Sequence, residues 1–343
     1  AMCTAAPTAA PTAAATTDKV VVTGANGFIG NELVRRLATA NPSTEVVALV
    51  RNRSLVTAPA GALESVPPNV RVRAWAVDKL AAVGDDWLRW EEELQGPGTA
   101  IVNLAGFPVV SRWTTANRAQ ILSSRIDSTR AITEAIRAMD PDSRPATFIA
   151  TSAVGYYGSY PAAAPKVDEN APPGEGFAAY VCQSVEKEAA EGLADVPETR
   201  SVVIRNGVVL GVAGGAMYRM LPFYRAFLGG PLGTGKQMVS WISLDDCVNA
   251  IMYAIDNPDM SGPYNLTAPE PVTMGEMCQS LATAMRRPNF IPVPESPIKA
   301  LYGDGASIVL EGQNVVPQRL LDSGFKFTHP KIDDCMKWIA KQA

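Results

Sequence analysis

The chain has 343 residues, of which 47% are hydrophobic and 19% charged, with 30 basic and 34 acidic side chains and a net charge of −4. This balance provides no positive field that would attract a polyanion, so we expect no nucleic-acid partner. The single histidine, His329, excludes metal sites that need several imidazoles, and we predict no metal site.

The five cysteines are odd in number and far apart, which argues against a disulfide framework and favours a reducing compartment. No apolar run reaches the roughly 18 residues of a membrane-spanning helix. The sequence therefore predicts a soluble protein without a transmembrane segment. We expect His329, which lies outside any motif, to be a structural residue.

The first segment of the chain is uncharged and consists almost entirely of Ala, Thr and Pro. Such a composition cannot bury enough apolar surface to offset the entropy of ordering, so we predict a flexible arm over residues 1–18. The arm lacks the basic and apolar regions of a secretory signal. Its first residue, Ala1, fits both a processed precursor and a cloning remnant.

Strands that alternate with helices follow the arm. A short β-branched run over 19–23, a helical pattern from Ile29 and a second apolar run over 45–50 form a βαβ unit of a parallel sheet. The alternation continues with predicted strands over 70–77, 99–104, 146–152 and 200–205, and with predicted helices over 85–94, 117–139 and 177–192. This order predicts a doubly wound α/β sheet of the Rossmann type.

The pattern changes after about residue 207, where Gly-rich and Pro-rich joints separate shorter elements. We therefore predict a cofactor-binding Rossmann domain over 19–207. A smaller, mixed α/β lobe over 208–343 would lie on the substrate side.

A glycine loop lies between the first predicted strand and its helix. Gly24, Gly27 and Gly30 allow a tight turn, a close approach of the backbone to a pyrophosphate and close packing of the helix on the strand. The helix N-terminus offers free N–H groups to phosphates. We predict that these glycines bind a dinucleotide together with the intervening residues, namely Asn26, Phe28 and Ile29.

The end of the second strand predicts which dinucleotide is bound. NAD-binding proteins usually carry an acidic residue there, which accepts from the ribose 2′-hydroxyl. This chain instead has Arg51, and a guanidinium suits a 2′-phosphate. NADP(H) is therefore the predicted cofactor, with Arg51 as a binding residue; for Arg53, cofactor binding and an ordinary surface position are both open.

Two further loops follow predicted strands at the edge where ligands bind in open α/β sheets. After the fourth strand we predict cofactor contacts at Leu104, Ala105 and Gly106. Farther along this loop, Arg112 and Trp113 fit both an acidic or planar substrate and a solvated surface. The fifth strand leads into the segment 151–158, which holds Ser152, Tyr156 and Tyr157.

These motifs together resemble the extended short-chain dehydrogenase/reductases of the epimerase/dehydratase type. Within them, the chain is most similar to the atypical SulA-like or giant-chloroplast-type epimerase subfamily. The resemblance covers roughly residues 19–340 and rests on the glycine loop and on segments 102–106, 124–125, 152–158, 205–210, 229–233, 241–246, 310–317 and 324–325. It implies a Rossmann fold with a C-terminal domain of unknown function, and a plastid setting.

The resemblance also implies a catalytic Tyr with a Lys four residues later, whose ammonium lowers the Tyr pKa and holds the nicotinamide ribose. None of the nine tyrosines has such a partner. Alignment on Glu186 puts Ala178 in the Tyr position and Cys182 in the Lys position. We expect Cys182 to be a buried helix residue, with a reactive thiol as the alternative.

Two functions fit this pattern. The first is an NADP-dependent oxidoreductase or epimerase that acts on an unknown small molecule, with Ser152, Tyr156 and Tyr157 as the candidate catalytic residues. The second is a catalytically silent NADP-binding subunit of a larger assembly, with a structural or regulatory role. The resemblance points to the plastid stroma, and otherwise we expect a cytoplasmic location.

Overall fold

The computed structural model describes residues 17–51, 67–75, 90–160, 162 and 164–343. Its strands are β1 (Lys19–Thr23), β2 (Glu45–Val50), β3 (Val70–Ala74), β4 (Thr99–Asn103), β5 (Thr147–Ala153), β6 (Lys166–Val167), β7 (Arg200–Asn206), β8 (Val208–Gly211), β9 (Met238–Val239), β10 (Trp241–Ser243), β11 (Gly262–Leu266), β12 (Val272–Thr273) and β13 (Asn314–Val315). Its helices are α1 (Phe28–Ala40), α2 (Thr115–Ala138), α3 (Phe177–Gly192), α4 (Gly215–Arg225), α5 (Leu244–Asp256), α6 (Met274–Met285), α7 (Glu295–Tyr302), α8 (Ser307–Leu310), α9 (Gln318–Asp322) and α10 (Ile332–Gln342).

Seven strands form a parallel sheet in the order β11-β7-β5-β4-β1-β2-β3. At its centre, Val21 of β1 pairs with Val47 of β2 and Ile101 of β4, and all three are fully buried. Parallel strands covered on both faces read as continuous apolar runs, which is why the sequence revealed them. The carboxyl ends of β1, β4 and β5 therefore lie side by side.

Helices cover both faces of this sheet. On one face, α1 and α5 join the sheet in an apolar core that includes Leu33 and Ile251. On the other face, α2 and α3 pack through residues such as Ile132 and Ala189. The predicted doubly wound Rossmann-type sheet is therefore confirmed.

The seventh strand, β11, is not among the predicted strands, because its sequence begins with Gly262 and Pro263. It comes from beyond residue 207, so the main sheet draws on the segment assigned to the smaller lobe. The division into 19–207 and 208–343 stays a prediction.

The predicted elements near the edge of the sheet are only partly described. The strand predicted over 70–77 ends at Ala74, with Trp75 outside it. Of the helix predicted over 85–94, the structure has a 3₁₀ turn over Trp90–Leu94. Residues 76–89, Arg53 and residues 1–16 of the predicted arm lie outside the described residues.

A second apolar core lies outside the seven-stranded sheet. Helices α4, α6 and α10 share it, around Trp241 and Met277. Three short pairs of strands are formed by β8 with β10, β9 with β12, and β6 with β13, and the last pair joins the segment that follows β5 to the C-terminal part of the chain. Among the described residues, no helix is both long and apolar enough to cross a bilayer.

Candidate functional site

The glycine loop packs directly against the loop that follows β4. Gly24 has a φ of +62°, and a Cβ there would lie 2.7 Å from the carbonyl oxygen of Leu104. A Cβ on Gly30 would collide with the carbonyl oxygen of Gly24. The Gly27 N–H donates to that same oxygen at 2.8 Å, which closes the turn. Glycine at positions 24 and 30 is therefore a steric requirement of the turn.

The first turn of α1 is open to a negatively charged ligand. Its N-cap, Gly27, makes no side-chain capping bond, and the first turn holds no acidic residue. Asn26 and Gly27 are exposed, whereas Phe28 and Ile29 are half-buried and pack against the core of the sheet. The free N–H groups and the positive end of the helix dipole thus suit a phosphate.

Hydroxyl and amide side chains fix the loop after β4. Thr23 Oγ1 accepts from the backbone N–H groups of Leu104 (3.1 Å) and Ala105 (3.2 Å), and it donates to Asn103 Oδ1 at 2.6 Å. Asn103 Nδ2 in turn lies 3.2 Å from the hydroxyl oxygens of two residues of α2, Ser128 and Thr129. Thr23 and Asn103 were not predicted as site residues, although polar residues ending buried strands are a signal for such a role.

Two predicted cofactor residues are exposed at this edge. Gly106 follows Ala105 in the same loop, and Arg51 comes directly after β2, the neighbour of β1 in the sheet. The structure therefore brings Gly24, Gly106 and Arg51 to one edge, at the ends of neighbouring or nearby strands. This is the edge at which open α/β sheets bind ligands.

A network of buried polar side chains lies at the end of β5. Ser152 Oγ donates to Glu186 Oε1 at 2.7 Å. Arg205 binds both oxygens of Glu186, at 2.9 Å through Nε and 2.7 Å through Nη2. Its Nη1 donates to the Tyr157 hydroxyl at 2.7 Å, and this hydroxyl donates to Asn265 Oδ1 at 2.8 Å.

This network changes the proton affinity of its members. Burial raises the pKa of Tyr157 to about 12, although Arg205 and Asn265 act in the opposite direction. Burial also lowers the pKa of Arg205, but Glu186 and Tyr157 outweigh it and hold that pKa above its usual value. Tyr157 therefore keeps its proton at neutral pH, and a tyrosinate base at this position is disfavoured.

Tyr156 belongs to the same cluster through its ring. The Arg205 guanidinium lies 3.6 Å from the centroid of the Tyr156 ring, which stands edge-on to Tyr157 at 5.2 Å. The three candidate catalytic residues thus converge on Arg205 and Glu186. Sequence reasoning did not assign either charged residue to the site, although an arginine within the buried strand β7 signals a buried partner.

Small side chains occupy the two positions that the resemblance assigns to a Tyr-Lys dyad. A Cβ on Gly155 would lie 3.3 Å from Ala178 Cβ and 3.8 Å from Cys182 Sγ, so both residues of α3 pack on the turn after β5. Cys182 is buried and free, and burial raises the pKa of its thiol. A thiol of raised pKa is a poor nucleophile, which agrees with the expectation of a buried helix residue.

The C-terminal segment contacts the loops that follow β4 and β5. Gln313 Nε2 donates to the carbonyl of Gly158 at 2.8 Å. Arg112 Nη1 donates to the backbone carbonyl of Ala300 at 2.7 Å. The backbone N–H of Trp113 donates to the backbone carbonyl of Tyr302 at 3.3 Å. The sequence left two roles for Arg112 and Trp113, substrate contact and a solvated surface position. In the structure, both residues bind the C-terminal segment.

His329 lies at the contact between the C-terminal segment and α5. Its backbone N–H donates to Asp246 Oδ2 at 2.9 Å, and its ring packs against Trp338 at 5.1 Å. These contacts are those of a structural residue, in agreement with the expectation from the sequence. The described ranges contain no cluster of three His, Cys, Asp or Glu side chains that could hold a metal ion.

Comparison with protein families identifies the relatives of this chain. The model of the NAD dependent epimerase/dehydratase family matches residues 20–267, which is well over half of the chain. The chain belongs to this family. A second model, a domain of unknown function, matches residues 293–339, and the resemblance inferred from the sequence motifs is confirmed.

Family members of similar length are found in plants and animals. An epimerase family protein SDR39U1 homolog of Arabidopsis thaliana, described as chloroplastic, is 41% identical over 320 residues, which cover 93% of this chain and 86% of the relative. The crystal structure of human epimerase family protein SDR39U1 (isoform 2) with NADPH has a TM-score of 0.76 and 31% identity, and the match covers 95% of this chain and 100% of the human one.

More distant structures share the fold. A UDP-glucuronic acid 4-epimerase of Bacillus cereus has a TM-score of 0.75 at 17% identity, over 94% of this chain and 98% of the epimerase. Identity this low shows a common fold and nothing about the substrate. The family thus accounts for the Rossmann sheet.

Proposed function

We propose that this chain binds NADPH across the carboxyl ends of β1, β4 and β2. The observation that carries the proposal is the open N-terminus of α1, where Gly27 has neither a capping side chain nor an acidic neighbour in the first turn. A pyrophosphate fits there because N–H groups and the helix dipole favour negative charge. The human relative that was crystallised with NADPH supports the same assignment.

The proposed binding residues contact different parts of the cofactor. Gly24, Gly27 and Gly30 with Asn26, Phe28 and Ile29 would surround the pyrophosphate, and Leu104, Ala105 and Gly106 would line the adjoining edge. Arg51 would bind the 2′-phosphate, which NAD lacks, and so select NADPH.

Calorimetry with NADPH and NADH tests this assignment on the intact chain and on Arg51→Ala. We expect the wild-type chain to prefer NADPH and Arg51→Ala to lose about ten- to one hundred-fold in NADPH affinity, because a charge-assisted pair is removed. NADH affinity should hardly change. Binding of neither nucleotide, or a preference for NADH that Arg51→Ala leaves intact, would refute the assignment.

The reaction that we propose is that of an NADP-dependent oxidoreductase or epimerase acting on an unknown small molecule. Bound NADPH supplies a hydride. Ser152, Tyr156 and Tyr157 are the proposed residues beside it, and Tyr157 would act in its protonated form, by releasing Asn265 and donating its hydroxyl proton to the substrate oxygen. Oxidation of NADPH with a panel of carbonyl compounds tests the reaction, and an unchanged rate in a Tyr156→Phe/Tyr157→Phe double variant would exclude those two residues.

A specific observation favours a second candidate function, that of a silent cofactor-binding subunit. Ala178 and Cys182 take the places of the dyad, and the Tyr157 hydroxyl is already engaged by Arg205 and Asn265. NADPH would then stabilise the fold by mass action without reacting. A raised melting temperature with NADPH, no turnover across the carbonyl panel and co-purification in a defined larger assembly would support this candidate.

The compartment is also a proposal. The relative from Arabidopsis thaliana is described as chloroplastic, and we propose a plastid location for this chain. Expression of the full-length protein with a C-terminal fluorescent tag tests it, and a signal that stays outside plastids would contradict it.

A further inference from the structure

One side chain of α2, Arg125, is a cation that no carboxylate neutralises among the described residues. Its Nη1 donates to two neutral carbonyls, those of Phe107 (2.9 Å) and Ile121 (3.0 Å). Within the described part of the chain, Arg125 forms no ion pair, and its half-buried guanidinium makes no other hydrogen bond. Burial lowers the pKa of Arg125, which is the signature of a charge held away from water without a counter-ion.

Other buried arginines of the chain are fully engaged. Arg205 forms a two-pronged pair with Glu186. Arg200 also lacks a carboxylate, but its guanidinium donates to the carbonyls of Met260 and Ala254 and to the Thr147 hydroxyl. Arg125 differs from both because its Nε and Nη2 have no hydrogen-bond partner among the described residues. A half-buried cation without a counter-ion is costly, and a ligand would offset that cost.

The position of Arg125 indicates which ligand it faces. A Cβ on Gly106 would lie 2.9 Å from the guanidinium Cζ, 3.1 Å from Nη2 and 3.2 Å from Nε. Since Cζ is the nearest of the three atoms, the exposed Gly106 lies against the face of the guanidinium, on the side of Nη2 and Nε, in the loop at the carboxyl end of β4. Helix α2, which carries Arg125, packs against α3, which carries Cys182.

We propose that Arg125 takes over the charge of the missing lysine and binds the nicotinamide-side ribose of NADPH. In the dyad a lysine at position 182 would hold that ribose. Here Cys182 is neutral and buried, and the cation would approach this ribose from α2 instead of α3. The inference rests on the proposed binding of NADPH and adds a binding residue on the reactive side of the cofactor.

The competing explanation is that Arg125 only shapes the loop after β4 through its bond to Phe107. The two explanations differ in which part of the nucleotide is affected. A ribose contact matters only for ligands that carry the nicotinamide half. A distorted loop would also weaken 2′,5′-ADP, which carries the adenosine and the 2′-phosphate but no nicotinamide ribose.

The test is calorimetric titration of NADPH and of 2′,5′-ADP into the wild-type chain, Arg125→Met and Arg125→Lys. We expect Arg125→Met to lose about ten- to one hundred-fold in NADPH affinity, because a charge-assisted bond is removed, and less than about threefold in 2′,5′-ADP affinity. Arg125→Lys should recover part of the loss, since an ammonium restores the charge without the planar fork.

Matched variants separate the possible failures. Arg130→Met, which removes an exposed α2 arginine paired with Glu188 at 2.8 Å, should change neither affinity. Arg51→Ala should weaken both ligands. If Arg125→Met weakens both ligands equally, or neither, the role of Arg125 is refuted while NADPH binding stands. If the wild-type chain does not bind NADPH, both proposals fall.

Should Arg125→Met fail to fold, Gly106→Ala serves as the second variant. A methyl group there would displace the guanidinium without removing it. We expect the same selective loss of NADPH affinity, and equal affinities of Gly106→Ala and wild type for NADPH would overturn the proposal.

Discussion

The carboxyl edge of the sheet has two halves that are built on different principles. Around β1 and β4 the shape is set by the backbone: Gly24 and Gly30 leave no space for a side chain, and Thr23 fixes the loop at Leu104 through main-chain N–H groups. Around β5 and β7 the shape is set by side chains, with Glu186 and Arg205 at the centre.

This difference determines how strongly each half depends on individual side chains. A cradle made of backbone depends on the fold itself, so it stays as long as the sheet and α1 stay. A pair of reacting side chains can be replaced one residue at a time, and the resemblance assigns its two positions to Ala178 and Cys182. In this chain the side-chain half consists of a network of hydrogen bonds and one ion pair.

The largest effect that we predict comes from breaking this ion pair. Glu186→Ala leaves Arg205 without its carboxylate, and the Arg205 side chain is only 4% exposed. Removing one partner of a buried pair costs about 3–5 kcal/mol of unfolding free energy, because the remaining charge is uncompensated. Denaturant unfolding of the variant measures this cost.

A surface pair provides the matched control for Glu186→Ala. Arg137 and Asp195 lie 3.0 Å apart, with exposed fractions of 50% and 64%. Asp195→Ala should cost less than about 1 kcal/mol, since exposed pairs are screened by solvent. If Glu186→Ala and Asp195→Ala lose the same unfolding free energy, the ion pair between Glu186 and Arg205 does not stabilise the side-chain half as a buried pair would.

The two halves also differ in how far the sequence could predict them. Glycine spacing and apolar runs report backbone geometry directly, so the loop from Gly24 to Gly30 and six of the seven sheet strands could be predicted. The seventh strand, β11, was not predicted because it begins with Gly262 and Pro263, which are uncommon in strands, and because it joins the sheet from far along the chain.

The side-chain half could not be predicted because its partners are distant in sequence. Ser152, Glu186 and Arg205 meet only when β5, α3 and β7 come together. The hydrophobic periodicity of the sequence carries no information about tertiary contacts of this kind. The role of the C-terminal segment, through Gln313 and Ala300, is hidden for the same reason.

A second prediction separates folding from binding within the backbone half. In Gly30→Ala the new Cβ collides with the Gly24 carbonyl, and we expect a loss of about 1–3 kcal/mol of unfolding free energy, as for other forced contacts in packed regions. In Gly27→Ala the nearest atom lies 3.1 Å away and φ is −79°, so we expect a loss of less than about 1 kcal/mol.

Both variants should lose NADPH affinity, but for different reasons. In Gly27→Ala the methyl group would stand where the pyrophosphate approaches the backbone of a chain that is still stable. Thermal unfolding without ligand, followed by calorimetry with NADPH, distinguishes the two cases. If Gly27→Ala bound NADPH as tightly as the wild-type chain, the pyrophosphate would not lie against Gly27. The two glycines would then not separate an effect on binding from an effect on folding.

The smallest predicted effect concerns the dependence of stability on pH in the side-chain half. Burial raises the pKa of Tyr157 to about 12, against about 10 for an exposed tyrosine. Below pH 10 the hydroxyl is protonated in both the folded and the unfolded chain, so the contribution of Tyr157 to stability is constant. Between pH 10 and pH 12 the unfolded chain releases this proton first, and the folded state loses stability relative to it.

Tyr157→Phe removes this dependence and isolates it from that of the other tyrosines. At neutral pH we expect the variant to be about 1–2 kcal/mol less stable, because the hydrogen bonds with Arg205 and Asn265 are lost. By pH 11 the deficit should shrink by roughly 1 kcal/mol, as the wild-type chain alone pays for keeping the phenol protonated. Parallel stability profiles from pH 9 to pH 11 would contradict a Tyr157 hydroxyl held protonated in the network.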